Sequence, residues 1–193
     1  MKPKLKYAGR SLMLGALVLL VGIGGYAGYL VMEHNFHVVM PGQVYRSSRM
    51  SPATLTATLE QHGIKSVLSL IGSSLAESNA VRAANADYFD VSISDRHEVT
   101  DGEMAKILAV LRDAPRPVLI HCKAGADRTG LAAALYLYAI EGEPATVADD
   151  ELTLRYGHLP PSLGFASRAM DRSYWRYVGA HASQTGPSAI PAK

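Results

Sequence analysis

The chain has 193 residues, enough for one domain with a real core once an apolar start and a polar end are set aside. Lys2, Lys4, Lys6 and Arg10 precede the apolar start, and taking those four from the 19 basic residues leaves 15 against 17 acidic ones, despite a formal charge of +2 for the whole. Such a balance argues against a nucleic-acid binder, which needs a basic face, and a single cysteine excludes an intrachain disulfide.

Residues 1–10 form a basic flank. Ser11 to Met32 then runs 22 residues without a charge. At about 1.5 Å of rise per residue, about 20 apolar residues cross a hydrocarbon core of roughly 30 Å. Residues 11–32 therefore predict a transmembrane anchor, with Tyr26 and Tyr29 toward its far end, where amphipathic rings suit the interface. A cleaved signal peptide is the rival, since Gly25 and Ala27 make a small-x-small pattern, but the apolar run continues past them. The basic flank should stay inside, which places the following domain outside: in a bacterium, an inner-membrane protein with a periplasmic domain. Gly22-x-Gly24-x-x-Ala27 imitates a dinucleotide fingerprint but has no strand before it. His34 and His37 lack a cysteine partner and read as a polar flank rather than a zinc site.

Residues 38–178 carry the signals of one folded domain. Val38 to Ser47 reads as an entry segment and short strand broken by Pro41-Gly42. Ser51-Pro52 is an N-cap with proline at the first helical position, and Gly63 stops that helix after His62. Lys65 to Ile71 predicts a strand, Leu75 to Ala84 a weaker helix, and Tyr88 to Ile93 an alternating strand. Thr100 and Glu103 form a capping box ahead of a helix whose inner face is Met104, Ile107, Leu108 and Leu111. Val118 to Ile120 is a short buried strand, followed by helices over Thr129 to Ile140, Thr146 to Tyr156 and Leu163 to Val178. The cluster Tyr174, Trp175 and Tyr177 reads as packing within the last helix. Residues 179–193 read as a loose tail. Alternating strands and helices predict an α/β fold with a mainly parallel central sheet flanked by helices.

The segment from Val118 to Gly130, VLIHCKAGADRTG, combines a buried strand, a glycine-containing loop and a helix start. Ligands of open α/β sheets bind beyond the carboxyl ends of strands, where Cys122 lies. Free amides of Lys123, Ala124, Gly125, Ala126 and Asp127 at a helix N-terminus can form an anion nest. Gly125 can take a backbone conformation or close approach denied to other residues. Arg128 offers a planar fork for two phosphate oxygens, and the same positive field favours a thiolate at Cys122. A thiolate under a bound phosphate can attack phosphorus. The pattern is not a Walker loop, because Arg128-Thr129 does not supply the Lys-Ser/Thr ending.

His121-Cys122-Lys123-Ala124-Gly125-Ala126-Asp127-Arg128-Thr129-Gly130 resembles the signature of cysteine-dependent tyrosine and dual-specificity phosphatases, in a bacterial-type branch. Val44-Tyr45-Arg46-Ser47 and the stretch Gly63 to Leu70 extend the resemblance, which covers about 45 to 160. It implies a tyrosine/dual-specificity phosphatase-like fold for residues 38–178 and a phosphocysteine intermediate on Cys122. Arg128 and the loop amides would bind phosphate, Thr129 would assist the thiolate, and His121 would support the loop. No metal or other cofactor is implied. The resemblance also implies an aspartate acid on a separate upstream loop. Asp95, 27 residues before Cys122 and just after a predicted strand, is the candidate, with Glu98, Asp101 and Asp127 in reserve. Phosphotyrosine or mixed phosphoprotein is the leading substrate. A membrane lipid phosphate or phosphoinositide is the second, because Lys123 stands beside the loop and the anchor holds it near headgroups. A silent module that only binds a phosphorylated partner is the third reading.

Overall fold

The structure is a computed structural model describing residues 4–159 and 168–182. Helix α1 (Lys4–Met32) contains the apolar run, and its Met13–Met32 part is long and apolar enough to cross a membrane. A signal sequence passes the same test. None of that window is buried against the domain, so its side chains have no protein core to join.

The chain then enters a hairpin of β1 (His37–Met40) and β2 (Val44–Ser48), turning at Gly42 with φ +68°. Helix α2 (Pro52–His62) starts where Ser51 Oγ accepts from the Thr54 amide and ends at Gly63 in the left-handed region, φ 62°. Next come β3 (Ser66–Ser69), α3 (Leu75–Ala83) and β4 (Asp87–Asp90). Helix α4 (Asp101–Asp113) carries the full capping box of Thr100 and Glu103 and buries Met104, Ile107, Leu108 and Leu111. Strand β5 (Val118–Cys122) and α5 (Asp127–Ala139) flank the loop of residues 123–126. Then follow α6 (Ala145–Ala148), two single 3-10 turns at Asp149–Glu151 and Leu154–Tyr156, and α7 (Arg168–His181).

The described strands form one sheet in the order β1-β2-β5-β3-β4. Four strands are parallel, but β1 runs antiparallel to β2. The sheet is therefore mixed, not just a parallel stack: a short Pro41-Gly42 turn can only return the chain antiparallel to itself. Strand β5 is central, all five of its residues buried, with Cys122 opposite Ser48 of β2 and His121 opposite Ser69 of β3. Alternate residues feed two cores: Ile120 and Leu68 pack with α4, α5 and α7, while Leu119 and Val67 pack with α2 and α3.

Two expected elements differ. The helix expected over Thr146 to Tyr156 is one four-residue helix and two 3-10 turns. The segment folds back so that the Glu151 carbonyl and carboxylate meet Arg46, which a continuous helix could not deliver. The last helix is described from Arg168, its expected start at Leu163 lying outside the described residues, and it continues past Val178 to His181. Residues 179–182 thus belong to the helix and its end, and the remainder of the expected tail lies outside the described residues. The aromatic cluster packs inward only in part: Tyr174 is fully buried and donates from its hydroxyl to the Ala145 carbonyl at 2.7 Å, Tyr177 packs partly buried against the core, and Trp175 is exposed.

Candidate active site

A parallel strand delivers its last residue to the carboxyl edge of the sheet, and β5 delivers Cys122 there, 2% exposed. The chain cannot continue straight, because α5 must return over the sheet. Residues 123–126 make the turn, and Gly125 enables it with φ +71°. A Cβ at Gly125 would lie 2.6 Å from Ser47 C and Ser48 N and 2.7 Å from Ser47 O. Glycine is thus required twice, by dihedral and by the backbone of β2 underneath.

What shapes the loop is how its carbonyls are held. The Lys123 carbonyl accepts from the Arg49 amide at 3.3 Å. The Ala124 carbonyl accepts from Asn35 Nδ2 at 3.0 Å. Arg46 Nη2 donates to the Gly125 carbonyl at 2.7 Å and the Ala126 carbonyl at 3.3 Å. In a trans peptide the following N–H points opposite to the C=O. Four pinned carbonyls therefore turn the amides of Ala124, Gly125, Ala126 and Asp127 away from the pins. Among the described residues these amides have no hydrogen-bond partner. A row of amide donors that point together without acceptors is an anion nest.

Arg46 is the buried hub of this arrangement. It is 0% exposed in β2, stacks with its guanidinium carbon 3.8 Å from the Tyr156 ring centroid, and pairs with the Glu151 carboxylate. A buried cation of this kind must be paired and hydrogen-bonded to be tolerated, and Glu151 with three carbonyls does both. Asn35 ties in a second segment, donating also to the Tyr156 carbonyl at 2.9 Å, while its Oδ1 stands 3.0 Å from His37 Nε2. His121 lies behind the loop, its Nε2 2.5 Å from Glu77 Oε1, in a close contact whose angle is not that of an aligned hydrogen bond. Arg49 approaches the other Glu77 oxygen at 3.4 Å.

On the solvent side, Arg128 Nη1 donates to the Ile93 carbonyl at 3.4 Å and Nη2 stands 3.5 Å from Asp95 Oδ2. Both are long, so the guanidinium is aimed rather than locked. Among the described residues its buried Nε has no hydrogen-bond partner, nor does the buried Thr129 Oγ1. The reserve acids are engaged elsewhere. Glu98 pairs with Arg172 and Arg176, Asp101 with Arg176, and Asp127 with His158 at 2.7 Å. His158 is 0% exposed and also meets Asp171 at 3.1 Å. Burial alone would depress its imidazolium, but hydrogen bonds to Asp127 and Asp171 outweigh that and push it up to about 9.

The structure thus brings together Cys122, the loop Lys123 to Asp127, Arg128, Thr129 and, through Arg128, Asp95. Sequence reasoning missed Asn35, Arg46, Glu77, Glu151 and His158. Arg46 had two signals, its place in the Val44-Tyr45-Arg46-Ser47 stretch of the resemblance and a charge amid strand residues, but neither gave it a role. The others had none, because their partners are remote in sequence. No group of three or more potential metal ligands stands together among the described residues.

A buried cysteine at the end of the central strand, beneath a one-sided row of amides, is the arrangement of the cysteine-based phosphatases on their α/β fold. Residues 33–163 match the PTP-SAK model, "Swiss Army Knife protein, DSP-PTPase phosphatase domain", and the chain belongs to that family. It is 33% identical over 116 residues to the dual specificity protein phosphatase TpbA of Pseudomonas aeruginosa strain UCBPP-PA14, covering 58% of this chain and 51% of TpbA. The chain therefore spans about half the length of the curated relatives it matches. The crystal structure of a cysteine-to-serine variant of P. aeruginosa TpbA in complex with phosphotyrosine superposes with TM-score 0.61 at 26% identity, over 74% of this chain and 83% of that one. The core catalytic domain of the PP-IP phosphatase SIW14 from S. cerevisiae shares the fold, with TM-score 0.57 at 22% identity, over 77% and 93%.

Proposed function

We propose that this chain is a metal-independent phosphomonoester hydrolase acting on phosphotyrosine or mixed phosphoprotein substrates through a phosphocysteine. The observation that carries the reading is the set of four pinned carbonyls, which leaves the loop amides free to receive phosphate beside Cys122. The Cys122 thiolate attacks phosphorus as the bond to the leaving oxygen breaks. Asp95 gives that oxygen its proton. Arg128 and the amides from Lys123 to Arg128 hold the equatorial oxygens as their charge redistributes. Water then attacks the phosphocysteine, passing its proton to the Asp95 carboxylate, and inorganic phosphate leaves. The Thr129 hydroxyl steadies the thiolate, and His121, backed by Glu77, positions the loop. The similarity to TpbA, including its phosphotyrosine complex, favours the phosphoprotein class over a lipid phosphate. An intact Cys122, Arg128 and Thr129 favour turnover over a silent binding module.

Helix α1 is the anchor in this reading: a single pass through the bacterial inner membrane, basic flank inside, domain in the periplasm.

The test is turnover of p-nitrophenyl phosphate by the full chain in detergent with EDTA present. Cys122→Ser should abolish it. Asp95→Asn should lower kcat by about a hundredfold on poor leaving groups and much less on p-nitrophenol. Turnover that survives Cys122→Ser, or that EDTA removes, would sink the mechanism.

A further inference from the structure

A cavity of about 590 Å³ lies between the last turns of α1 and the flank of the phosphate loop. One wall is apolar, built by Ala27, Leu30 and Val31. The facing wall carries Arg49 and Lys123. Among the described residues no carboxylate lies within ion-pair distance of Lys123, and Arg49 only shares Glu77, which also serves His121. Cys122, Asp95 and Arg128 are not part of this lining, so the cavity stands beside the phosphate-accepting face.

Its two walls ask for one kind of molecule. A small anion would leave the apolar wall uncovered. A neutral amphiphile would leave Lys123 without a counter-charge. The apolar wall also continues along α1, whose side chains from Met13 to Met32 include no charge. An acyl chain leaving the cavity along the helix meets only groups that suit it. We propose that this cavity is a subsite for an anionic phospholipid, its phosphodiester between Arg49 and Lys123 and its chain against Ala27, Leu30 and Val31. Juxtamembrane Lys and Arg are the usual partners of anionic headgroups. A phosphodiester is not a phosphomonoester substrate, and the experiment reads binding rather than turnover, so the proposal stands or falls apart from the catalytic reading.

The probe is dihexanoyl phosphatidylglycerol, kept below its micellar concentration and titrated calorimetrically into the full chain in a neutral detergent. Dihexanoyl phosphatidylcholine and glycerophosphoglycerol serve as parallel probes. Phosphatidylglycerol should bind at least about tenfold more tightly than either, the scale of one charge-assisted contact. Ala27→Trp, which fills the cavity from the helix side, and Arg49→Gln should each weaken it by about the same factor. Circular dichroism of both variants reports that the fold is retained. Equal affinity for phosphatidylcholine would overturn the charge requirement. Equal affinity for glycerophosphoglycerol would leave a mere anion site and overturn the lipid. Unchanged binding in both variants would overturn the location.

Discussion

At the residue scale, the loop is held from behind by buried groups that bond its carbonyls. Asn35 is the plainest case. Its carboxamide bridges the Ala124 and Tyr156 carbonyls, and its own backbone sits at φ 46°, a conformation asparagine tolerates better than most residues. Asn35→Ala would leave both carbonyls without that donor, at about 1–3 kcal/mol if they stay buried. The Ala124 peptide would then be free to flip, and the Gly125 amide would leave the anion side. Orthovanadate affinity and kcat should therefore fall together, by about tenfold, while an α2 surface change of equal stability cost should move neither. Arg46→Lys tests the second pin. An ammonium can keep the charge contact with Glu151 but has no fork with which to reach the Gly125 carbonyl as well. It should cost about 2–4 kcal/mol in urea unfolding and lower kcat without abolishing it. Retention of both stability and kcat would show that the fork is dispensable.

At the scale of elements, what the sequence made legible and what it did not follow one rule. Features written locally were legible. The Ser51 cap with Pro52 and Gly63 bounds α2, Thr100 with Glu103 bounds α4, and the Cys122-to-Arg128 spacing with its Gly125 is written in seven consecutive residues. Features decided by remote contacts were not. The segment after α6 breaks into 3-10 turns because Glu151 must reach Arg46, 105 positions away. Asn35 fell inside what read as a polar flank because its partner lies 89 positions on. Helix α5 joins these two classes. Gly130 looks like a poor helix residue in sequence, yet a Cβ there would lie 2.6 Å from the Glu151 carbonyl oxygen and 2.9 Å from Leu152 Cδ2. Gly130→Ala should gain about 1 kcal/mol of helix propensity and lose about 1–3 kcal/mol to overpacking. The net expectation is a lower urea midpoint. Because the displaced turn carries the partner of Arg46, phosphate-loop function should fall more than stability does. A raised midpoint with normal kcat would mean that the turn simply yields.

At the scale of the whole molecule, one buried imidazolium fastens the site to the last helix. His158 links Asp127, the first residue of α5, to Asp171 on α7. Its folded-state value of about 9 lies above the ordinary 6.5, so the folded chain holds this proton more tightly than the unfolded one. The stabilisation is complete below pH 6.5 and disappears as pH rises through about 9. Losing the proton removes the cation that stands between Asp127 and Asp171, which weakens the α5–α7 contact first. Unfolding midpoints in urea, taken at intervals from neutral to alkaline pH, should fall by an amount equivalent to on the order of 2 kcal/mol. His158→Gln keeps hydrogen-bonding capacity but cannot titrate. It should start from a lower midpoint at neutral pH and lack that part of the alkaline decline. The same decline in His158→Gln as in the parent chain would assign the pH dependence elsewhere. A parent midpoint that rises with pH in this window would reverse the sign and rule out the imidazolium as a stabilising link between the site and α7.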